Sequence, residues 1–178
     1  FELGALDEKR TLTPLGKELA RLPVDPRIGR MLLAAREFNC LAEMIILTAA
    51  LSIQDPRDRP SDKRQESDRA HEEFRDDASD FVQLINLWNF FDEAFRHKES
   101  NRKLWATCRE HFLSFTRMRE WRDLAGQLRE MAAGLKIREN TTDATYEQVH
   151  RALLTGLVSN VGLKAQEGDH YNAPRGIP

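Results

Sequence analysis

The run Thr13-Pro14-Leu15-Gly16-Lys17-Glu18-Leu19-Ala20-Arg21-Leu22-Pro23-Val24-Asp25-Pro26-Arg27-Ile28-Gly29-Arg30-Met31-Leu32 contains two helix starts in succession. In each, a short oxygen-bearing side chain, Thr13 and then Asp25, precedes a proline. Such an oxygen takes an orphan backbone N–H at the N-cap, and proline's missing N–H costs nothing at the first helical position. Leu15, Leu19 and Leu22 give the first helix an apolar stripe, and Arg21-Leu22-Pro23 ends it. Ile28, Met31, Leu32, Ala35 and Phe38 give the second an i, i+3, i+4 stripe, with Asn39 as the stop.

Downstream, the same grammar repeats. Ala42 to Ile53 is apolar enough to be the most buried helix. Gln54 to Pro60 carries two prolines and is a loop. Ser61 to Phe74 is so rich in charge that a solvated helix held by i, i+4 pairs is expected, with Phe74 pinning its end. Ser79 caps an amphipathic helix running to about Phe95, and a polar turn spans His97 to Asn101. Leu104 to Ala133 reads as a long helical pattern, either one helix or two with the break near 107–110, and Gly134 is its C-cap. Thr142-Asp143-Ala144-Thr145 opens a last helix bearing Val149, Ala152, Leu153, Leu157 and Val158. Upstream, Glu8-Lys9-Arg10 is a polar turn between Leu6 and Leu12. Alternating strands longer than four residues are absent. The fold class is therefore all-α, a compact bundle of about seven helices preceded by a small remnant of something else.

The 178 residues suit one domain, or one domain with a piece of another; 40% are hydrophobic and 31% charged. The formal charge of −2 argues against coating nucleic acid by bulk positive charge, so any such contact must come from a local arginine cluster. Cys40 and Cys108 stand alone in amphipathic runs and read as reduced, buried thiols. His71, His97, His111, His150 and His170 are scattered and read as surface or helix-end residues. There is no Gly-rich phosphate loop and no metal-ligand spacing, so the segment itself reads as non-catalytic, with no cofactor. The chain opens on Phe1 in mid-pattern and closes on a linker-like run ending at Pro178, which suggests a piece of a longer protein.

Three stretches carry a resemblance. Leu3-Gly4-Ala5-Leu6, Leu12-Thr13-Pro14-Leu15-Gly16, Leu22-Pro23-Val24-Asp25-Pro26 and Met31-Leu32-Leu33-Ala34 form the first. Arg59-Pro60, then a charged helix, then Ser79-Asp80 with Leu84 and Asn86 form the second. Phe112 to Leu128, with Arg119-Glu120-Trp121 inside it, forms the third. Together they resemble the helicase-associated region of DEAH-box RNA helicases, and Arg119-Glu120-Trp121 points to the HrpA type. Phe81 stands where many members carry His, and Gln54-Asp55-Pro56 replaces an aromatic that often precedes the Arg-Pro pair.

The resemblance implies the end of a degenerate winged-helix domain over residues 1–24, a helical ratchet over 25–165, and a linker over 166–178 toward an oligonucleotide-binding fold. It implies a parent that is an ATP-dependent 3′-to-5′ RNA helicase of the bacterial cytoplasm, monomeric and with no membrane contact. Two RecA-like motor domains would bind ATP and magnesium, and the segment would form a wall of the tunnel for single-stranded RNA, or for DNA in its place. The candidate contacts are Arg119 and Arg122, the preferred pair, with Arg117, Arg109 and Ser114 nearby and Arg57 and Arg59 in the Pro-bounded loop. Guanidinium groups pair with phosphates or stack on bases. Against this, Glu110, Glu120 and Asp123 can neutralise the helix, Arg59 can serve as a loop anchor to backbone carbonyls, and Trp121 reads as core rather than as a stacking platform. A bundle that braces the motor domains without touching RNA is the competing reading.

Overall fold

Cap chemistry sets the helix starts. In a computed structural model, which describes residues 3–97, 100–164 and 171–172, Thr13 and Asp25 accept backbone N–H groups from Gly16 and Arg27 and open α1 (Pro14–Leu19) and α2 (Pro26–Phe38). Asn39 stops α2 in the left-handed region at φ 52°. The remaining helices are α3 (Leu41–Ala50), α4 (Arg64–His71), α5 (Asp80–Arg96), α6 (Asn101–Glu110), α7 (Phe115–Gly134) and α8 (Tyr146–Leu157). The fold is all-α, with eight α-helices among the described residues. One antiparallel ladder, Leu163–Lys164 against Tyr171–Asn172, joins them. The rest of the expected linker at 166–178 lies outside the described residues, as do His170 and part of the turn after His97.

The chain divides into two compact units, Phe1–Met44 with Asn140–Pro178, and Ile45–Glu139. In the first, α2 packs along α8. The approach is close because Gly156 has no side chain: a Cβ there would lie 2.6 Å from the Arg27 carbonyl oxygen. Glu43, though buried, is satisfied by Asn140 Nδ2 at 2.9 Å and by the Ala144 N–H at 2.9 Å. Thr145 and Gln148 then form a reciprocal capping box at the start of α8.

In the second unit the later part of α3 is almost wholly buried, as its composition predicts. Buried with it in this unit are Leu87, Trp88 and Phe91 of α5, Leu104 and Cys108 of α6, and Met118, Trp121, Ala125 and Leu128 of α7. Trp121 is core: its indole N–H donates to the Ile46 carbonyl at 2.8 Å and its ring meets Trp88 edge-on at 5.3 Å. Phe74 pins the end of α4, buried against Phe90. The charged helix is less solvated than its composition suggests, since Ser67 and His71 face inward.

Two local expectations shift. The long helix from Leu104 breaks at 111–114 rather than 107–110, because the 55–58 loop captures its backbone. The Asp58 N–H donates to the Phe112 carbonyl and the Ser114 N–H to the Pro56 carbonyl, both at 2.8 Å. Phe112 turns left-handed at φ 52° to permit this. At the far end of α7, Gly134 stays helical and Lys136 takes the left-handed position at φ 59°, as the Ile137 N–H closes onto the Ala132 carbonyl and its side chain is buried.

Candidate nucleic-acid interface

The break between α6 and α7 makes a corner. Ser114 recaps the chain there, its Oγ accepting the Arg117 N–H at 3.5 Å. On either side of the corner an aromatic and an arginine four residues apart stack on one helix face. The Arg109 guanidinium lies 5.6 Å from the Trp105 ring centroid on α6, and that of Arg119 lies 6.0 Å from the Phe115 ring on α7. Both arginines are exposed, and neither has a carboxylate partner among the described residues. Guanidinium on an aromatic face is held in place yet keeps donors free for a phosphate.

Two concavities meet at this corner and share Phe115 and Thr116. One, of about 440 Å³, lies toward Lys63, Trp105 and Arg109. The other, of about 500 Å³, lies along α7 toward Ser52, Arg119 and Gln127.

The other sequence-predicted arginines are engaged. Arg117 donates to the Asp55 carbonyl at 3.0 Å and to the Asp58 carboxylate at 3.1 Å, so it, rather than Arg59, anchors the loop through a backbone carbonyl. Arg57 clasps the Asp55 carboxylate at 2.7 and 3.0 Å. Burial would raise the Asp55 pKa, but the Arg57 hydrogen bonds and charge outweigh it and hold the carboxyl below its ordinary value. Arg59 pairs with Asp68 at 3.1 Å. Arg122 lies 3.2 Å from the Phe95 ring centroid and 3.9 Å from Asp92. It lines a third concavity with Asp92 and Arg129, which shares Asp123 and Gln127 with the one that Arg119 lines. The structure therefore places Arg109 and Ser114 in one concavity, with Arg119 in the next along α7 and Arg122 in the one after it.

Trp105 and Lys63 line this corner and escaped the sequence reading. The signal was present: Leu104 and Cys108 mark the buried stripe of α6, and Trp105 sits one position off it. Among the described residues no group of three or more His, Cys, Asp or Glu side chains could hold a metal, and no helix is long and apolar enough to cross a membrane.

Comparison with known proteins agrees with this architecture. Residues 1–24 match the winged-helix model of the helicase associated domain (HA2), and residues 25–84 match its ratchet-like model. The chain is 46% identical over 181 residues to the ATP-dependent RNA helicase HrpA of Escherichia coli, covering 98% of this chain and 14% of that protein. It is 44% identical over 182 residues to the HrpA homolog of Haemophilus influenzae, with the same coverage of each. Identity to the pre-mRNA-splicing factor ATP-dependent RNA helicase prp22 of Schizosaccharomyces pombe is 30% over 179 residues, 100% of this chain and 15% of that protein. The chain thus spans a small fraction of the length of the relatives it matches. It belongs to the helicase-associated (HA2) family of DEAH-box, HrpA-type RNA helicases, as their winged-helix end and ratchet-like region.

Proposed function

We propose that this region is the non-catalytic wall of a single-stranded RNA path in an ATP-dependent RNA helicase, and that it couples motor motion to RNA movement. The observation that carries the proposal is the pair of arginines, Arg109 and Arg119, held on aromatic faces around one corner without a carboxylate partner. Four neighbouring guanidinium groups, those of Arg57, Arg59, Arg117 and Arg129, are held by close carboxylate or carbonyl bonds and that of Arg122 lies 3.9 Å from Asp92, whereas Arg109 and Arg119 keep donors for phosphate.

ATP and magnesium belong, in this reading, to RecA-like motor domains elsewhere in the polypeptide. The residues here do not fit them: the sequence has no Gly-rich phosphate loop, and the described residues offer no acidic cluster for the metal. The DEAH-type relatives are named as RNA helicases, which supports RNA as the strand and a motor as the neighbour. An oligonucleotide-binding fold beyond the ratchet, a division of the chain near residue 24, a cytoplasmic setting and a monomeric state complete the proposal.

The test is strand binding by the full helicase carrying Arg109→Ala or Arg119→Ala. Each change is expected to weaken a labelled single-stranded RNA roughly five- to ten-fold, about 1 kcal/mol. Unwinding should fall with it, while strand-independent ATP hydrolysis and helix content stay unchanged. Unaltered binding in both variants would remove the proposal.

A second reading, a brace for the motor domains, rests on α8. Tyr146, Leu154 and Val158 follow one another at helical spacing and stay exposed, as does Leu163 beyond them. An apolar stripe of this kind suits a protein neighbour. Leu154→Asp in the full helicase is then expected to lower motor stability while leaving the strand affinity of the Arg109 corner in place.

A further inference from the structure

The two concavities at the α6–α7 corner differ in charge. The one along α7 places Arg119 beside Glu120 and Asp123. The other holds Lys63 and Arg109 against a single carboxylate, Asp58, and that carboxylate is already bonded to Arg117 at 3.1 Å. Its volume of about 440 Å³ lies within the usual span of small-ligand sites, which is room for one nucleotide rather than for a stacked run. Its wall carries Trp105, a residue 51% exposed. A half-exposed indole with a guanidinium on its face is costly to leave in water and well suited to a nucleobase.

We propose that this concavity is a seat for one unpaired nucleotide, the base lying on the Trp105 indole and the adjoining phosphate between the Lys63 ammonium and the Arg109 guanidinium. It rests on the RNA-path reading above and adds to it a base contact at one position. A base in a duplex has both faces covered by its neighbours, so the seat selects single strands. Stacking is tolerant of base identity, because every base offers a π-face. The contact therefore holds the strand without reading its sequence. The rest of the path grips phosphate, so one seated base works as a register mark between steps of the motor.

The experiment compares the full helicase, without nucleotide, on two probes: an oligouridine strand, and the same ribose-phosphate strand lacking bases. For the wild type, removing the bases is expected to weaken binding strongly. Trp105→Ala should weaken the uridine strand on the order of ten-fold and shrink the penalty for removing bases by the same factor. Trp105→Phe should keep most of the affinity. Because Trp105 is exposed, its truncation leaves the fold intact, which helix content and melting verify. An unchanged penalty in Trp105→Ala overturns the seat. Arg119→Ala, outside this concavity, separates the two claims. If it weakens binding and Trp105→Ala does not, only the seat falls. If Trp105→Ala, Arg119→Ala and Arg109→Ala all leave binding unaltered, the RNA-path reading falls as well.

Discussion

Arg117 reaches from α7 to the carbonyl oxygen of Asp55 at 3.0 Å, and through the same nitrogen to the Asp58 carboxylate at 3.1 Å. One side chain thereby fastens the Pro-bounded loop to the first turn of α7. The loop in turn holds the α6–α7 break open by pairing with Phe112 and Ser114. Arg117→Ala is expected to cost about 1–2 kcal/mol of stability, since it removes two charge-assisted bonds at a site only partly exposed. Lysine should restore part of this, since both bonds come from one nitrogen and an ammonium carries donors enough for two acceptors, on a stem of different shape. Hydrogen exchange at the Asp58 and Ser114 amides measures the loosening directly. Both should exchange faster in Arg117→Ala, and protection equal to wild type would remove the anchoring role.

Trp121 tests the core independently of strand binding. Trp121→Phe deletes a fully buried N–H donor to the Ile46 carbonyl and part of the ring that meets Trp88. The expected loss is about 2 kcal/mol, from a buried hydrogen bond and a partial cavity. Denaturant unfolding checks it, with strand affinity unchanged at concentrations of denaturant where the fold persists.

Two glycines should respond oppositely to alanine. Gly156→Ala places a methyl 2.6 Å from both the Arg27 carbonyl and the Met31 Cε, and the closeness of backbone makes relief expensive. A loss of about 1–3 kcal/mol is expected. Gly126→Ala, inside α7 with nothing within 4 Å of the added carbon, should be neutral or stabilising by up to about 1 kcal/mol through helix propensity. Thermal melts of the two variants decide whether α2 and α8 pack as described.

The two cysteines are predicted to be inert in the native protein. Burial, with the nearby Glu43 charge adding to it, pushes the Cys40 thiol up to about 12, and burial does the same for Cys108. At pH 8 the nucleophilic thiolate is then scarce as well as shielded. A thiol-reactive chromophore should label neither until denaturant is added, and then both. Rapid native labelling of either would contradict its placement in the core.

Much of this was legible in the chain because it is local chemistry. Thr13-Pro14 and Asp25-Pro26 announce α1 and α2, Ser79 announces α5, and Thr145 with Gln148 announces α8, each through an oxygen and an amide a few residues apart. The α6–α7 break was displaced because its cause is tertiary: the bonds from Asp58 and to Pro56 come from a loop more than fifty residues away in sequence. Gly134 loses the left-handed position to Lys136 because the burial of Ile137, not backbone freedom, decides where the chain turns. The arginines follow the same rule. That α7 carries guanidinium groups is plain in the sequence, but Arg117 finds Asp58 and Arg122 finds Phe95 only in three dimensions. Trp105 was readable in principle, as a large ring next to, and not on, the Leu104–Cys108 stripe.

The most direct test of the account is the salt dependence of strand binding by the full helicase, wild type against Arg109→Ala with Arg119→Ala. Phosphate contacts release counterions, so the plot of log affinity against log salt should be steep for the wild type and shallower by about one unit per contact removed. A slope reduced by nearly two in the double variant is the predicted result. An identical slope, with affinity intact, would mean that these arginines are a solvated face and that the corner between α6 and α7 does not touch the strand.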